Sequence, residues 1–395
     1  MSGATVRVDV PDDSLFGPEN MPYGVFAPPG GEFRAGVRLG DSVLDLPALL
    51  DDPVFARPDL NSFLAQGPAA RRVVREKLRE LAESPLPADA VHAVEAIRMT
   101  LPVRIGDYVD FYASIDHATN LGRLFRPDAE PLLPNWRHLP VGYHGRAGTV
   151  VVSGTPVVRP CGQHRTDSGT PEFGPSRRLD IEAELGFVVG TASRRGEPVP
   201  VDEFADHVFG VALVNDWSAR DIQAWEYQPL GPFLGKSFAT SLSAWITPLA
   251  ALTRARVPLP PQVPKPLPYL RGTDDTGLDI ALTVTWNGDT VSRPPYSRMY
   301  WSPAQMLAHL TANGASIRPG DLYASGTISG PEPGQRGSFI ELSWGGTEPV
   351  IVGGAERTFL ADGDEVTITA TAPGTASRPI GLGEVRGTVL AAHEP

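Results

Sequence analysis

The chain has 395 residues, of which 41% are hydrophobic and 20% charged, and its formal net charge is −12. These values are typical of a soluble globular protein with roughly two or three domains, and the acidic balance argues against a nucleic acid or an anionic membrane surface as partner. Cys161 is the only cysteine, which excludes an intramolecular disulfide and a multi-cysteine zinc site. No run of about eighteen apolar residues predicts a membrane span, and the N-terminus lacks the apolar core of a signal peptide, so we expect a cytoplasmic protein.

The first hundred residues are predicted to form a separate small domain, 1–100. Two short alternating runs, 34–39 and 42–46, flank a Gly-Asp pair and indicate a β-hairpin. A helix is predicted to begin at Pro68 and to end before Pro85, with its apolar residues on one face. This unit contains no cluster of catalytic residue types, and we interpret it as a structural or assembly domain.

A second short helix is predicted between Ser114 and Pro127, because Ser114 is a typical N-cap and apolar residues follow at helical spacing. His117 would lie in its first turn, where the helix dipole opposes a positive charge. Its imidazole is therefore expected to be neutral and able to accept a proton. Two carboxylates precede the helix, Asp107 and Asp110, and either is a candidate metal ligand.

The remainder, 101–395, is predominantly β in pattern, with many Gly and Pro turns, and is predicted to form one large mixed β domain. The fold class is therefore mainly β, of the α+β type. Asn287-Gly288 indicates a hairpin, and Ser302 with Gln305 indicates the start of a helix that ends at Asn313-Gly314. The predicted strands are 149–152, 180–189, 208–214, 278–286, 349–352, 365–371 and 387–390.

Glu182 and Glu184 lie in an otherwise apolar predicted strand. Residues two apart share one face of a strand, so both carboxylates point the same way. Two like charges at that distance need a cation or protons to neutralise them. The alternative is an edge strand with its acidic face in water, but the apolar flanking residues favour a buried strand.

Another carboxylate, Asp216, follows the apolar run 208–214, where it can join the glutamate pair. With Asp110 or Asp107 the set consists of carboxylates alone. Such ligands suit a hard cation, Mg²⁺ or Ca²⁺, rather than zinc or copper. The residues themselves do not separate Asp107 from Asp110.

Three possible oxyanion donors come next, namely Arg220, Gln223 and Lys236. Arg220 and Gln223 are three residues apart and lie side by side if the segment is helical. The alternative is that the arginine and lysine are ordinary surface residues. Gly235-Lys236-Ser237 resembles the end of a phosphate-binding loop, but Leu230 stands where the first glycine would be. No GxSxG elbow is present, so a serine hydrolase is not supported either.

Several long motifs together resemble the fumarylacetoacetate hydrolase family. They are FGPENMPYGVF, DFYASIDHATNLG, LLPNWRHLPVGYHGR, NDWSARDIQAWEYQPLGPFLGKSF, ASGTISGPEP and IELSW. The resemblance covers nearly the whole chain and implies the full-length, two-domain form of the family. It implies an N-terminal SH3-like barrel over 1–100, a catalytic β-roll domain over 101–395, and a homodimer.

The resemblance also assigns roles to residues of this chain. The matching metal ligands, which favour Asp110 over Asp107, are Asp110, Glu182, Glu184 and Asp216, with Lys236 and Thr240 as associated groups. His117 matches the general base and Glu341 the acid that orients it. The oxyanion-stabilising group corresponds to Arg220, Gln223 and Lys236. The substrate contacts correspond to Tyr112, Arg126, Tyr143, Gln223, Tyr227 and Thr327.

The implied activity is metal-dependent hydrolysis of a carbon–carbon bond in 4-fumarylacetoacetate. Fumarate and acetoacetate would be the products, in the last step of tyrosine and phenylalanine catabolism. The expected partners are this small diketo acid and a second copy of the chain. The alternatives are hydrolysis of a related diketo acid such as an acylpyruvate, a hydratase or decarboxylase on the same scaffold, and a non-catalytic metal-binding assembly protein.

Overall fold

The computed structural model describes residues 4–166, 168–273, 276–374 and 378–393. Three large sheets and several two-stranded ones dominate, with mostly short helices between them, which confirms the predicted mainly β, α+β class. The α-helices are Leu46–Leu49, Asn61–Leu64, Gly67–Ala82, Ile115–Phe125, Phe204–His207, Arg220–Glu226, Pro303–Thr311 and Phe339–Leu342. Among the described residues, no helix has the length and apolar character needed to cross a membrane.

The N-terminal residues form a five-stranded antiparallel sheet. Its strands, in spatial order, are Val91–Ala93, Ser42–Asp45, Arg34–Leu39, Tyr23–Ala27 and Arg98–Thr100. The predicted hairpin is confirmed, and Gly40 at its turn has φ of 59°, a conformation that glycine adopts without strain. The helix Gly67–Ala82 also lies where it was predicted and buries Leu78.

An eight-stranded mixed sheet forms the centre of the molecule. Its strands, in spatial order, are Val150–Val152, Thr240–Leu242, Val208–Asp216, Ala183–Val189, Leu322–Ala324, Tyr108–Phe111 and Gly142–His144, with Thr247–Pro248 beside the third. Every residue of Val208–Asp216 and of Ala183–Val189 is buried. Since both faces of these strands are covered, most of their residues are apolar rather than alternating with polar ones, and the exceptions include Glu184 and Asp216.

The third sheet has five strands and is antiparallel except at one edge. In spatial order the strands are Val157–Val158, Ile380–Leu390, Glu365–Ala372, Ala281–Trp286 and Asp289–Ser292. The predicted hairpin at Asn287-Gly288 is confirmed, with φ of 51° and 88°. The predicted 278–286 strand begins only at Ala281. The predicted 387–390 strand is the end of a longer one whose first three residues are all buried and so do not alternate.

The central sheet separates two layers. Along Val208–Asp216, Ala212 and Val214 belong to the same buried cluster as Tyr23 of the N-terminal sheet, whereas Leu213 belongs to the cluster that contains Val284 of the third sheet. Successive side chains of a strand point to opposite faces. The N-terminal sheet therefore covers one face of the central sheet, and the third sheet covers the other.

The N-terminal layer is also joined to the central part of the chain through backbone and polar contacts. Tyr23 and Ile246 exchange backbone hydrogen bonds of 2.9 and 2.8 Å. The buried Arg71 guanidinium donates to Thr191 Oγ1 at 3.2 Å and to the Asp206 carbonyl at 3.3 Å. These contacts fix the N-terminal layer on the back of the sheet that carries the acidic residues.

Candidate active site

Four carboxylates meet where neighbouring strands of the central sheet end. Asp110 lies in Tyr108–Phe111, Glu184 in Ala183–Val189, and Asp216 closes Val208–Asp216. With Glu182 they bring one oxygen each within 4.8 Å of one another, and all four residues are buried. Because the strands that carry these residues belong to one sheet, distant parts of the chain supply one compact cluster.

One prediction about this cluster is corrected, and two alternatives are excluded. Glu182 was expected inside the strand, but the strand begins at Ala183, and the Glu182 carbonyl instead accepts a hydrogen bond of 3.1 Å from Asp216 N. The edge-strand alternative is wrong, since Ala183–Val189 pairs on both sides. Asp107 is exposed and accepts from Tyr108 N, so its carboxylate faces away from the cluster that Asp110 joins.

The residues fit a divalent cation with oxygen ligands. Both carboxylate oxygens of Glu184 and Oδ1 of Asp110 are buried without a hydrogen-bond partner among the described residues. Burial, and next the charge of Asp216, raise the pKa of Asp110 well above its usual value. Burial and the charge of Asp110 do the same to the pKa of Glu184. Buried oxygens that lack donors and resist ionisation are what a bound cation would satisfy.

Lys236, Thr240 and Tyr143 surround the remaining oxygens. Lys236 Nζ donates to Glu182 and, at 2.7 Å, to Asp216 Oδ2. Thr240 Oγ1 donates to Asp216 Oδ1 and Tyr143 Oη to Asp216 Oδ2, both at 3.0 Å. Burial disfavours the charged form of Glu182, but Lys236 and then Arg220 outweigh it and hold the pKa of Glu182 well below its usual range. The cluster thus combines ionised and readily protonated carboxylates.

His117 faces the cluster from the helix Ile115–Phe125, and the predicted cap is confirmed by a 3.2 Å hydrogen bond from His117 N to Ser114 Oγ. His117 Nδ1 lies 2.7 Å from Glu341 Oε2, and Nε2 lies 3.8 Å from Glu182 Oε1. The imidazole therefore spans the gap between Glu341 and the cluster. The side chains of His117 and Glu341 are 3% and 0% exposed.

Glu341 is held by more donors than the sequence indicated. Asn120 Nδ2 donates to its Oε1 at 2.9 Å, and the hydroxyls of Ser329 and Ser338 donate to its Oε2 at 2.9 and 2.8 Å. Burial opposes its ionisation, yet the charge and hydrogen bond of His117 lower the pKa of Glu341. Asn120 could have been found from its position three residues after His117 on one helix face. The two serines carry no comparable local signal.

Arg220 and Gln223 are confirmed as neighbours on the helix Arg220–Glu226. Arg220 Nη1 lies 3.1 Å from Gln223 Oε1 and 2.8 Å from Glu182 Oε1. Its Nε donates to Asp180 Oδ2 at 2.7 Å, whereas Nη2 is buried without a partner among the described residues. The alternative of a surface arginine is wrong, because Arg220 is 2% exposed.

Asp180 is a site residue that the sequence reasoning missed. Its carboxylate accepts from Arg220 and from the backbone N–H groups of Phe339 and Ile340, at 2.7 and 3.1 Å. It therefore ties the arginine to the start of the Phe339–Leu342 helix, which carries Glu341. Asp180 is an acidic residue within the apolar run before Glu182, and this position is the signal from which it could have been found.

Removal of this carboxylate is expected to destabilise the protein strongly. Asp180→Ala leaves two buried N–H groups and part of the Arg220 charge uncompensated, which we expect to lower the free energy of unfolding by about 3 kcal/mol. Denaturant titration measures this. Asp362→Ala is the matched control, because the Asp362 side chain is 46% exposed where it pairs with Arg159 and should contribute about 1 kcal/mol or less. Equal losses in both variants would contradict the structural role of Asp180.

The predicted substrate contacts fall into two groups. Tyr143 lies at the cluster, the Tyr112 ring stands edge-on to the His117 imidazole with centroids 5.3 Å apart, and Thr327 Oγ1 is buried without a partner among the described residues. Arg126 and Tyr227 lie farther out. Arg126 Nη2 donates to the Pro131 carbonyl at 2.9 Å, and the Tyr227 ring stacks on Phe125.

A cavity gives small molecules access to this constellation. Its volume is about 310 Å³, and its lining includes Tyr143, Asp216, Lys236 and Phe233. That volume lies at the lower end of the range for small-molecule sites, about 300–1,000 Å³. The cavity reaches the cluster from the side of Lys236.

Two family models together cover most of the chain. The model described as fumarylacetoacetate (FAA) hydrolase C-terminal matches residues 108–390, and the one described as fumarylacetoacetase N-terminal matches residues 19–102. The chain belongs to the fumarylacetoacetate hydrolase family.

Family members with curated names match the chain end to end. It is 48% identical to the fumarylacetoacetases of Rattus norvegicus and Homo sapiens over 416 residues, which cover 98% of this chain and 99% of each relative. It is 43% identical over 411 residues to the fumarylacetoacetase of Arabidopsis thaliana, with 97% of both chains covered.

Solved structures share the fold, as two examples show. A fumarylacetoacetate hydrolase from Exiguobacterium antarcticum superposes with a TM-score of 0.58 at 18% identity, over 94% of this chain and 99% of that one. A maleylpyruvate hydrolase from Sphingobium sp., in complex with manganese(II) and pyruvate, gives 0.55 at 17% identity, over 94% and 100%. At these identities the likeness concerns the fold alone.

Proposed function

We propose that the protein hydrolyses the carbon–carbon bond between the two halves of 4-fumarylacetoacetate, releasing fumarate and acetoacetate in the breakdown of tyrosine and phenylalanine. The observation that carries this proposal is the buried His117–Glu341 pair facing a four-carboxylate cluster. The full-length identity to proteins named fumarylacetoacetase supports the choice of substrate.

We propose that Asp110, Glu182, Glu184 and Asp216 hold a divalent cation, Mg²⁺ or Ca²⁺. Their all-oxygen composition supports this assignment, and so do the Glu184 oxygens, which accept no hydrogen bond from the part of the chain that the structure describes. Lys236 and Thr240 hold the remaining carboxylate oxygens in place. When bound, the cation supplies Lewis-acid stabilisation for negative charge on the departing fragment.

His117 is the proposed general base. With Nδ1 donating to the ionised Glu341, Nε2 has its lone pair free to take a proton from water. The hydroxide formed adds to the fumaryl ketone carbon, and collapse of the adduct breaks the bond to the acetoacetate carbon. The proton on His117 can then pass to that carbon, so that one water is consumed in each turnover.

Arg220, Gln223 and Lys236 are the proposed donors to the oxyanion of the adduct. Arg220 and Lys236 are already held by buried carboxylates, so little reorganisation is needed when charge develops. Because Arg220 Nη2 has no hydrogen-bond partner among the described residues, it is available to donate to the oxyanion. The proposed substrate contacts are Tyr112, Arg126, Tyr143, Gln223, Tyr227 and Thr327.

The larger organisation is also a proposal. We infer an N-terminal domain over 1–100 and a catalytic domain over 101–395, which the family-model bounds of 19–102 and 108–390 support. We also propose a homodimer, which rests on the sequence resemblance, and a cytoplasmic location.

Loss of the diketone ultraviolet absorbance of fumarylacetoacetate tests the proposed reaction. We expect rapid loss with Mg²⁺ or Ca²⁺, fumarate and acetoacetate as the products, and at least about a hundredfold slower loss after chelation, because the cation stabilises the departing charge. Re-addition of each metal separately shows which one restores the rate. Folded, metal-loaded protein that leaves the absorbance unchanged would contradict the proposal and direct the search to acylpyruvates and to hydratase or decarboxylase reactions.

A further inference from the structure

We propose that a cleft beside the helix Arg220–Glu226 captures a carboxylate of the substrate before the substrate reaches the catalytic residues. This arginine cleft is formed by Arg165, Arg178 and Trp225 and adjoins Arg220. The inference rests on the proposed function, because it assigns the cleft to the same anionic substrate.

The arginine cleft has a volume of about 580 Å³. One wall is the hairpin of Cys161–Arg165 and Pro171–Pro175, and the other is the helix Arg220–Glu226. Trp225 Nε1 donates to Gln163 Oε1 at 3.3 Å across the two walls. The cleft is therefore a gap between two elements that contact each other directly.

The walls are held firmly in position. The Asp221 carboxylate accepts from Ser176 Oγ and from Arg177 N, both at 2.6 Å, which anchors the segment before Arg178 to the helix. The side chain of Ile222 fills the space above Gly162, where an added Cβ would come within 2.7 Å. A ligand in the cleft would meet a preformed surface.

Two guanidinium groups in the cleft lack a carboxylate partner within the described residues. Arg165 lies over the Trp225 ring at 4.4 Å, and the exposed Arg178 lies over the Phe359 ring at 5.7 Å. The neighbouring Arg177, by contrast, forms an ion pair with Glu172. In the described part of the chain, four arginines but only one carboxylate, that of Asp221, line the cleft. On a chain with a net charge of −12, this excess of arginines at one cleft forms a local attraction for anions.

The cleft is directly connected to the catalytic residues. The Arg178 carbonyl accepts a 3.0 Å hydrogen bond from Arg220 N, and the buried Arg220 side chain, with its partnerless Nη2, is part of the lining. Tyr227, a proposed substrate contact, also lines it, as does Ile340, the residue before Glu341. An anion in the cleft would therefore lie beside Arg220, which is one of the proposed oxyanion donors.

The chemistry of the lining matches one carboxylate of a flat conjugated acid. A guanidinium group binds a carboxylate through two parallel hydrogen bonds, and an indole face accepts a planar unsaturated chain. Fumarylacetoacetate carries a carboxylate at each end, so one end can occupy the cleft while the rest of the molecule approaches the catalytic centre. Such a site raises the rate of productive encounter rather than the rate of bond cleavage.

The test is kinetic, with charge removed from the cleft in Arg165→Gln/Arg178→Gln. At low ionic strength we expect kcat/KM for fumarylacetoacetate to fall by about fivefold or more, a loss that shrinks as salt is added and is carried by KM rather than kcat. Arg165→Lys/Arg178→Lys should recover most of it, because the charge remains. Arg194→Gln removes the same charge from an exposed i,i+3 pair with Glu197 and should leave kcat/KM within about twofold of the unmodified protein.

Calorimetric titration with fumarate separates this inference from the proposed function. We expect the Gln/Gln variant to bind fumarate about fivefold or more weakly than the unmodified protein. Unmodified protein that binds fumarate through these arginines but does not cleave fumarylacetoacetate would overturn the function and leave the anion site supported. If the Gln/Gln variant is active and its kcat/KM and fumarate affinity are unchanged, the proposal that the arginine cleft captures a carboxylate is overturned. A loss confined to kcat would overturn it as well.

Discussion

Replacement of His117 by alanine is expected to lower kcat by about 100- to 10,000-fold while the fold and the metal content stay intact. The imidazole is the only group that contacts both Glu341 and the carboxylate cluster among the described hydrogen bonds and ion pairs, so nothing else there is placed to take the proton from water. Steady-state turnover, circular dichroism and metal analysis on the same preparation measure the three quantities.

His309→Ala is the matched control for this variant. His309 is half-buried on the helix Pro303–Thr311 and hydrogen-bonds to Tyr269 Oη at 3.0 Å, so its loss should leave kcat unchanged. The kcat of Glu341→Gln should lie between those of His117→Ala and His309→Ala. The amide can still accept a hydrogen bond from His117 Nδ1, but it does not stabilise an imidazolium. A His117→Ala variant that turns over substrate at the unmodified rate would remove His117 as the base.

Removal of the metal is expected to abolish activity and to destabilise the protein in a pH-dependent way. A cation at a hundred times its Kd adds about 2.7 kcal/mol, which for a chain of this length corresponds to a Tm decrease of about 3 °C on chelation. Burial raises the pKa of Asp110 and Glu184, so the folded metal-free protein binds protons that the unfolded chain releases. Its stability therefore falls as the pH rises above the usual carboxyl pKa.

Glu184→Gln tests whether the crowded carboxylates destabilise the metal-free protein, because it removes one negative charge instead of removing the cation. The amide removes one of the crowded negative charges, so the metal-free variant should have a Tm equal to or above that of metal-free unmodified protein at pH 8, although its metal affinity and turnover are lost. Scanning calorimetry with and without chelator, at pH 6 and pH 8, measures the Tm of the variant and of the unmodified protein. Glu348→Gln, at an exposed position, should change neither the Tm of the metal-free protein nor the effect of chelator on the Tm. A Tm that chelator leaves unchanged at both pH values would contradict a cation in this cluster.

Local signals in the sequence predicted local structure well. Ser114 caps its helix, Ser302 and Gln305 form the predicted capping box, and Asn287-Gly288 turns the predicted hairpin. In the two caps a side chain satisfies the backbone within three residues of itself, and in the hairpin Asn287 and Gly288 adopt the positive φ of the turn, so each pattern can be read without knowledge of the fold.

Patterns of burial were predicted less well. The strand containing Glu184 was expected to include Glu182, and the first half of Ile380–Leu390 was missed. An apolar run shows that a segment is buried, but not where its ladder of hydrogen bonds begins, because that depends on which strand lies beside it. Here the Glu182 carbonyl accepts from Asp216 at the edge of the ladder.

The sequence by itself determined the fold class and indicated the proposed acidic ligand set and the proposed base, because those follow from residue types, their spacing and motifs long enough to resemble one family. Only the tertiary structure decided how they meet. Glu341 reaches His117 across 224 residues of chain, and Asp180 joins Arg220 to a backbone turn 159 residues away. Such contacts depend on the order of strands in the sheets, which no single segment encodes. The arginine cleft has the same origin, since a hairpin and a helix with no shared motif form it only when packed together.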